Sequence, residues 1–407
     1  MNIADYLKGN LRQYGILGAL VLIFIFFVVM SGGKLLNPNN ISSLVQQVAY
    51  VAVLSIGMVT VIVAGHIDLS VGSVVAFIGA VVGQLMYTYH VGWPVAVLAA
   101  LIVGLLVGAW QGIWVAIARI PAFIVTLSSM LLFRGLAVVT LGAKTLSGFP
   151  EEFSAISKGG LPKFVGTIDI SSSALPTFFR GEADVFTLLI GAIAIVGLVY
   201  SSFRTRAAER KHGLTPIPLS LTVGKLVLLG VVIAFFTYLV SLSRVGTPIV
   251  LIIVAVLIVV YTFVQNRTVY GRHVYAIGGN LNAAILSGVN TRRVNFAIFL
   301  NMGVLTGICA VIVTARLGAA TPTAGNGYEL DAIAACFIGG AAVTGGVGKV
   351  SGAMIGALIM GLLTMGLSIL GVNESWQMVV KGLVLLAAVI LDLFSKRRSV
   401  LAEVGQR

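Results

Sequence analysis

The chain is poor in charge. Lys, Arg, Asp and Glu make up 10% of its 407 residues, with 13 acids against 26 bases. A soluble globular domain carries about 25% charged residues, so an ordinary water-facing surface is excluded. Cysteine is scarce too. Cys309 and Cys336 both lie in apolar segments and read as small packing residues, not as a disulfide framework. The four histidines, His66, His90, His212 and His273, stand at no metal-ligand spacing with Cys, Asp or Glu on one helix face. No G-x-S-x-G nucleophile elbow occurs. The stretch TGGVGKVSG at 344–352 misses the phosphate-loop pattern, because Val343 stands where a Gly is required and Val350 where Ser or Thr must follow Lys349. It reads as a turn or a tight helix contact. Neither an enzyme nor a bound cofactor or metal is expected.

What is present is apolar length. Hydrophobic residues form 58% of the chain, and runs of roughly 18–25 of them recur, long enough to span a hydrocarbon core. In lipid every backbone group must be satisfied within the protein, so an all-α polytopic membrane protein is predicted. The 48 glycines suit close helix approach in a bilayer. The predicted spans are 14–31, 44–64, 71–90, 93–118, 122–142, 185–203, 220–242, 248–265, 294–316, 328–344, 350–371 and 376–394. The run 328–344 is short and Gly-rich, and reads either as a span or as a re-entrant segment. About twelve transmembrane or re-entrant helices are expected, within a range of ten to twelve. The first run has no cleavage site after it and reads as an uncleaved span. No stretch outside the spans is long enough to enclose its own core, so residues 1–407 read as one transmembrane domain.

The net charge of +13 does not point to nucleic acid, because the bases gather as the positive-inside rule requires. Lys8 and Arg12 precede the first span, and Arg119 stands between two others. Arg204, Arg206, Arg210 and Lys211 fill the segment RTRAAERKHG at 204–213. Arg267, Arg272, Arg292 and Arg293 lie in 266–293, and Lys396, Arg397 and Arg398 in the tail 395–407. An even number of spans with both termini cytoplasmic puts all of these inside. The loop 143–184, with Glu151, Glu152, Asp169, Glu182 and Asp184, then lies outside. The inner loop 266–293 has a Gly-Gly turn followed by LNAAILSGV, long enough for two helical turns. That stretch reads as a docking surface or as an ordinary interfacial helix.

Ionisable residues in or beside spans are costly in lipid and invite a functional reading. Lys225 and Asp392 lie near span ends and can snorkel to the interface. Arg316 ends a span on the outer side and can pair with Glu329 or Asp331. The outer-facing segment GAATPTAGNGYELD at 318–331 is rich in small and polar side chains. Tyr328, Glu329 and Asp331 are candidates to line the mouth of a solute pathway, while Asn326 or Glu329 can instead cap the next helix. On the inner side, AGHIDLSVGS at 64–73 is expected to form a tight turn between two spans. Its Asp68, Ser70 and Gly72 are candidates for helix capping or gate fixing, and capping is favoured over solute contact because a solute meets the outer face first. Gln46, Gln47, Thr126 and Asn301 can face either a pathway or a neighbouring helix.

Five stretches occur in order: GHIDLSVGS (65–73), RIPAFIVTLSSMLLFRG (119–135), YAIGGNLNAAILSGVN (275–290), TPTAGNGYELDAIAACFIGG (321–340) and TGGVGKVSGAMIGALI (344–359). Together they resemble the permease subunits of bacterial ABC importers for pentoses and hexoses, the ribose/xylose branch. The resemblance covers about residues 40–142 and 245–396, and the span pair at 185–242 makes the chain look closer to xylose or multiple-monosaccharide permeases. It implies a homodimer in the bacterial cytoplasmic membrane. It also implies a separate ATPase with two nucleotide-binding halves and a periplasmic sugar-binding protein that delivers the monosaccharide. Residues 277–290 would be the coupling helix that docks in the ATPase, with Gly279, Asn280, Ala283, Ala284, Ser287 and Gly288 matching the family pattern. Asn282 stands where relatives often carry Glu, so a charged contact to the ATPase is not assigned to it. The alternative is an ion-coupled secondary sugar transporter, which calls for paired intramembrane acids or broken helices that hold an ion.

Overall fold

The computed structural model describes residues 11–170, 179–213 and 218–404, with side chains from 15 to 390. Lys8 falls outside the described residues, and Arg12, Asp392 and the tail cations Lys396, Arg397 and Arg398 outside those with described side chains.

Helix α1 (Leu11–Met30) leads through a short 3-10 turn into α2 (Pro38–Val63). Asn37 starts α2 by accepting the Asn39 N–H at 3.0 Å, and Pro38 sits at the position where a missing N–H costs nothing. Next come α3 (Val71–Tyr87), α4 (Trp93–Gly112, continued by a π turn to Ile117) and α5 (Ala122–Leu141). The loop that follows contains β1 (Leu146–Ser147), α6 (Glu151–Lys158) and a hairpin of β2 (Thr167–Ile170) with β3 (Gly181–Asp184). Helices α7 (Val185–Lys211), α8 (Leu219–Ser241) and α9 (Ile249–Arg267) follow. Then come α10 (Val269–Gly279), α11 (Leu281–Leu286), α12 (Thr291–Leu317), β4 (Ala319–Ala320), α13 (Tyr328–Ile338), α14 (Val350–Ile369) and α15 (Glu374–Val404).

Every predicted span overlaps one of these helices. Among the described residues, eight helices are long and apolar enough to cross a membrane: α2, α4, α5, α7, α8, α9, α12 and α14. Burial separates centre from rim. The apolar window of α2 is 83% buried and that of α12 67%, against 11% for α7 and 6% for α8. The extra pair is therefore a peripheral hairpin with largely exposed sides, and α2 and α12 lie at the centre of the bundle. Helices α4 and α12 pack closely because small residues line both: Gly104 faces Gly303 and Gly307, and Gly108 faces Phe299 and Leu300.

Two differences from the sequence-based expectations concern length. Within the segment read there as loop and Gly-Gly turn, Val269–Gly279 folds into α10, capped by Thr268 through the Gly271 N–H at 3.2 Å. The run 328–344 yields a helix of only 11 residues. At about 1.5 Å per residue α13 is about 16 Å long, too short to cross. The re-entrant alternative fits that length.

Candidate functional site

Two interrupted helices meet inside the bundle. Antiparallel packing of α4 on α12 fixes its two ends: Gly112 lies against Phe296 near one end. That end, the basic end, carries Arg119, Arg267, Arg292 and Arg293. Helix α3 runs from inside the bundle to the opposite end, with Gly79 against Thr314 and Gly83 against Ala320. Its 17 residues span about 26 Å, against about 40 Å for the 27 residues of α12, so α3 begins well short of the basic end. Residues 64–70 cover the gap as non-helical chain. The segment 321–327 enters from the other end, beyond the β1–β4 pairing of Leu146 with Ala320. It reaches the same depth and starts α13. There the backbones of Gly72 and Gly325 touch, each with its Cα against the other's carbonyl, and neither has room for a Cβ.

Polar groups gather around this junction. Asp68 is 1% exposed. Its Oδ1 accepts the Ser70 N–H at 2.8 Å and the Ser70 hydroxyl at 2.7 Å. Gln111 of α4 donates to Ser70 Oγ at 2.5 Å. Thr126 of α5 donates to the Ile67 carbonyl at 3.2 Å and pins the segment to the bundle. On the other strand of the junction, Arg134 of α5 donates to the carbonyls of Pro322 and Ala324 at 2.8 and 2.7 Å. The Glu329 carboxylate lies against Gly72, and its Oε2 is buried without a hydrogen bond. Irregular backbone at membrane depth is tolerated where protein buries it or where it lines a polar cavity. Both helix N-termini aim their free N–H groups at this one level, which suits a solute rich in acceptor oxygens.

One turn further along α13, Asp331 is 4% exposed and accepts Lys381 Nζ of α15 at 2.9 Å and the Tyr50 hydroxyl at 2.7 Å. Tyr328 stacks on Tyr50 with ring centroids 3.9 Å apart. This ion pair and stack bind the half-helix to α2 and α15.

At the basic end α13 gives way to the glycine-rich loop 339–349. The Gly346 N–H donates to the Val63 carbonyl at 2.8 Å. The Cα of Gly278 in α10 lies against the same carbonyl, and Tyr275 donates to the Gly348 carbonyl at 2.5 Å. Burial raises the Tyr275 phenol above its ordinary pKa, so it remains a neutral donor near pH 7. TGGVGKVSG is thus a packing plate between α10, the end of α2 and α13. Beyond it Asn280 breaks the helix with φ −157° and caps α11 by accepting the Ala283 N–H at 3.0 Å. Ala284 packs inward, and Gly288 turns the chain at φ +81°. Gly279 has open space beside it, and Ser287 closes α11 through its N–H to the Ala283 carbonyl. Leu281, Ile285 and Leu286 face outward at 49%, 51% and 89% exposure.

These contacts correct four expectations. Residues 64–73 are not a tight surface turn, because the chain climbs back to mid-depth before α3 starts. Asp68 and Ser70 do not cap α3: no side chain caps it, and Asp68 instead closes a local turn on Ser70. Arg316 bonds to Gln47 at 3.3 Å, while Asp331 takes Lys381. Helix α13 starts at Gly327 with no side-chain cap from Asn326 or Glu329. Asp68, Ser70 and Gly72 thus share one locus with Glu329, whereas Tyr328 and Asp331 turn to α2 and α15. Tyr50, Gln111 and Tyr275 escaped the sequence reading, since a Tyr or Gln in an apolar run carries no local signal of its partner.

The branched-chain amino acid transport system / permease component family matches residues 40–389 of this chain. The chain is 39% identical over 389 residues to the xylose transport system permease protein of Haemophilus influenzae, covering 96% of this chain and 98% of the relative. To the same-named protein of Escherichia coli K12 it is 38% identical over 392 residues, covering 96% and 94%. To the ribose import permease protein of Escherichia coli K12 it is 32% identical over 383 residues, covering 94% of each. No solved structure matches.

Proposed function

Since the chain belongs to the family of permease components of branched-chain amino acid transport systems, we propose that it is the membrane permease of an ATP-driven monosaccharide importer with xylose as its leading substrate. The transport names of the relatives support the sugar, and the higher identity to xylose permeases than to the ribose permease supports the pentose. As a permease subunit the chain is not an enzyme. In this reading it sits in the bacterial cytoplasmic membrane with the basic end and both termini inside. Twelve transmembrane or re-entrant helices form each copy, and two copies form a homodimer. A separate ATPase with two nucleotide-binding halves docks on α10–α11. A periplasmic binding protein delivers sugar at the end carrying 143–184.

One observation carries the mechanism. The junction of α3 and α13 at mid-depth is joined by a continuous backbone path to the α10–α11 surface: Gly72–Gly325, then α13, then Gly346–Val63–Gly278. Movement of α10–α11 by the ATPase shifts the Gly loop, and with it α13 against α3. Asp68, Ser70, Gly72 and Glu329 form the gate at this level, and the pathway opens alternately to either side of it. The driving free energy comes from the partner, so this chain needs coupling and no reacting group.

The test is uptake of labelled xylose and ribose in a strain lacking its own permease. Leu286→Glu is expected to lower uptake of both sugars at least about tenfold while folding stability stays within about 0.5 kcal/mol, because the side chain is exposed and its partner lies outside this chain. Uptake that survives Leu286→Glu but collapses with an uncoupler at constant ATP points to an ion-coupled carrier instead. Asp68→Ala removes a buried acceptor of two hydrogen bonds, a loss of about 1–3 kcal/mol. Xylose and ribose uptake are expected to fall by the same factor. Asp68→Asn, which keeps Oδ1, should be milder. A shift in the xylose-to-ribose ratio assigns Asp68 to sugar contact instead of the gate.

A further inference from the structure

A cleft of about 610 Å³ opens at the basic end, between the α4–α5 turn, α11 and the start of α12. Two guanidinium groups, Arg119 and Arg292, stand on its walls, and neither has an acidic partner among the described residues. Arg119 holds a left-handed backbone at φ +59°, a conformation that a residue with a Cβ adopts under strain. His66 and Asn295 also line it and are hydrogen-bonding neighbours of each other. The remaining wall is apolar, with Ile120, Phe123, Leu281 and Ile285 along it. This wall runs on into the exposed apolar side of α4 and α5, where Ile117 is 58%, Phe123 54% and Ile124 52% exposed.

We infer that this cleft holds the head group of an anionic phospholipid from the inner leaflet. The phosphate sits between Arg119 and Arg292, and the first methylenes lie along Ile120 and Phe123. Phosphatidylglycerol brings a net negative charge to the two guanidinium groups, whereas the choline cation of phosphatidylcholine cancels its phosphate and meets them with like charge, so the first fits and the second does not. Uncompensated bases beside an apolar wall at the inner face attract acidic lipids at about 1 kcal/mol per base. Inorganic phosphate has no use for the apolar wall. Because the cleft shares Leu281 and Ile285 with the face proposed to meet the ATPase, a bound lipid would brace α11 for docking. The inference goes beyond the transport reading and takes from it only the placement of the basic end at the inner leaflet.

The experiment is mass spectrometry under native conditions on the full chain released from mixed vesicles of phosphatidylglycerol and phosphatidylcholine. Wild type is expected to retain phosphatidylglycerol over phosphatidylcholine by roughly 10- to 30-fold, the equivalent of two bases. Arg119→Gln with Arg292→Gln should bring the ratio near one, while Arg204→Gln with Arg210→Gln on α7 should leave it unchanged. If the double variant fails to fold, Arg119→Gln or Arg292→Gln alone should still lower the ratio, by about fivefold each. Retention unchanged in these arginine variants overturns the inference. So does displacement of the lipid by millimolar inorganic phosphate, which makes the cleft a free-anion site. Displacement by the ATPase subunit also overturns it, because an acidic side chain of that partner would then be the occupant. Each readout is independent of sugar uptake, so a failure here leaves the transport reading standing.

Discussion

Replacing Gly72 by valine is expected to lower uptake of xylose by well over tenfold, with the chain still inserted in the membrane. The reason is steric and local. A Cβ at residue 72 would run into the carbonyl of Gly325 and the carboxylate of Glu329. Backbone cannot rotate away as a flexible side chain can, so the two half-helices must separate. Overpacking a tight contact costs about 1–3 kcal/mol in soluble cores, and here the strain falls on the proposed gate. Gly325→Val meets the Gly72 carbonyl from the other side and carries a φ of +71° as well, so it should be at least as severe. Gly135→Ala is the control, since nothing lies within 4 Å of a Cβ there although Arg134 is its neighbour. Initial rates of labelled xylose uptake, normalised to membrane content by immunoblot, check all three. A Gly72→Val variant with wild-type uptake would remove this junction from the mechanism.

The second large effect concerns the buried ion pair. Asp331→Leu leaves the Lys381 ammonium inside the bundle without its carboxylate and takes the acceptor from the Tyr50 hydroxyl. Removing one partner of a buried pair costs about 3–5 kcal/mol, and the 21% exposure of Lys381 puts the loss at the lower end. The expected result is a large drop in midpoint temperature in detergent and poor membrane yield. Asp331→Leu combined with Lys381→Met should recover the part lost to the uncompensated charge, since two apolar groups then face each other, while adding Tyr50→Phe should recover the rest by removing the hydroxyl left without its acceptor. The double variant also decides what the pair does. If it only binds α13 to α15, uptake returns with stability. If stability returns and uptake does not, Asp331 takes part in transport itself, the outcome an ion-coupled carrier predicts.

Most of the fold was legible without coordinates. Scarce charge and repeated apolar runs follow from the bilayer, which demands about 20 apolar residues per crossing and tolerates little else. That requirement is one-dimensional, so it can be counted along a sequence, and each predicted span lands on a helix. The linear order of GHIDLSVGS, TPTAGNGYELD and TGGVGKVSG was enough to suggest the family, since motifs in series survive any uncertainty about depth.

Depth itself was not legible. The sequence reading put Asp68 at a surface turn and Glu329 on the opposite face, because a span count assigns every break to one side or the other. The structure puts both breaks at one level in the middle. That meeting depends on glycine backbones touching at Gly72–Gly325 and Gly346–Val63, and on the Tyr50–Asp331 bond between residues 281 positions apart. Nothing local to AGHIDLSVGS states that its helix starts well short of the basic end. What the sequence alone determined was a helical membrane protein of a permease family, with one side rich in bases. What only the tertiary structure decided was where the helices break and which polar groups meet there. The physical reason is that span length answers to the lipid, a uniform solvent, whereas the start of a half-helix answers to contacts with distant segments that must satisfy its exposed backbone.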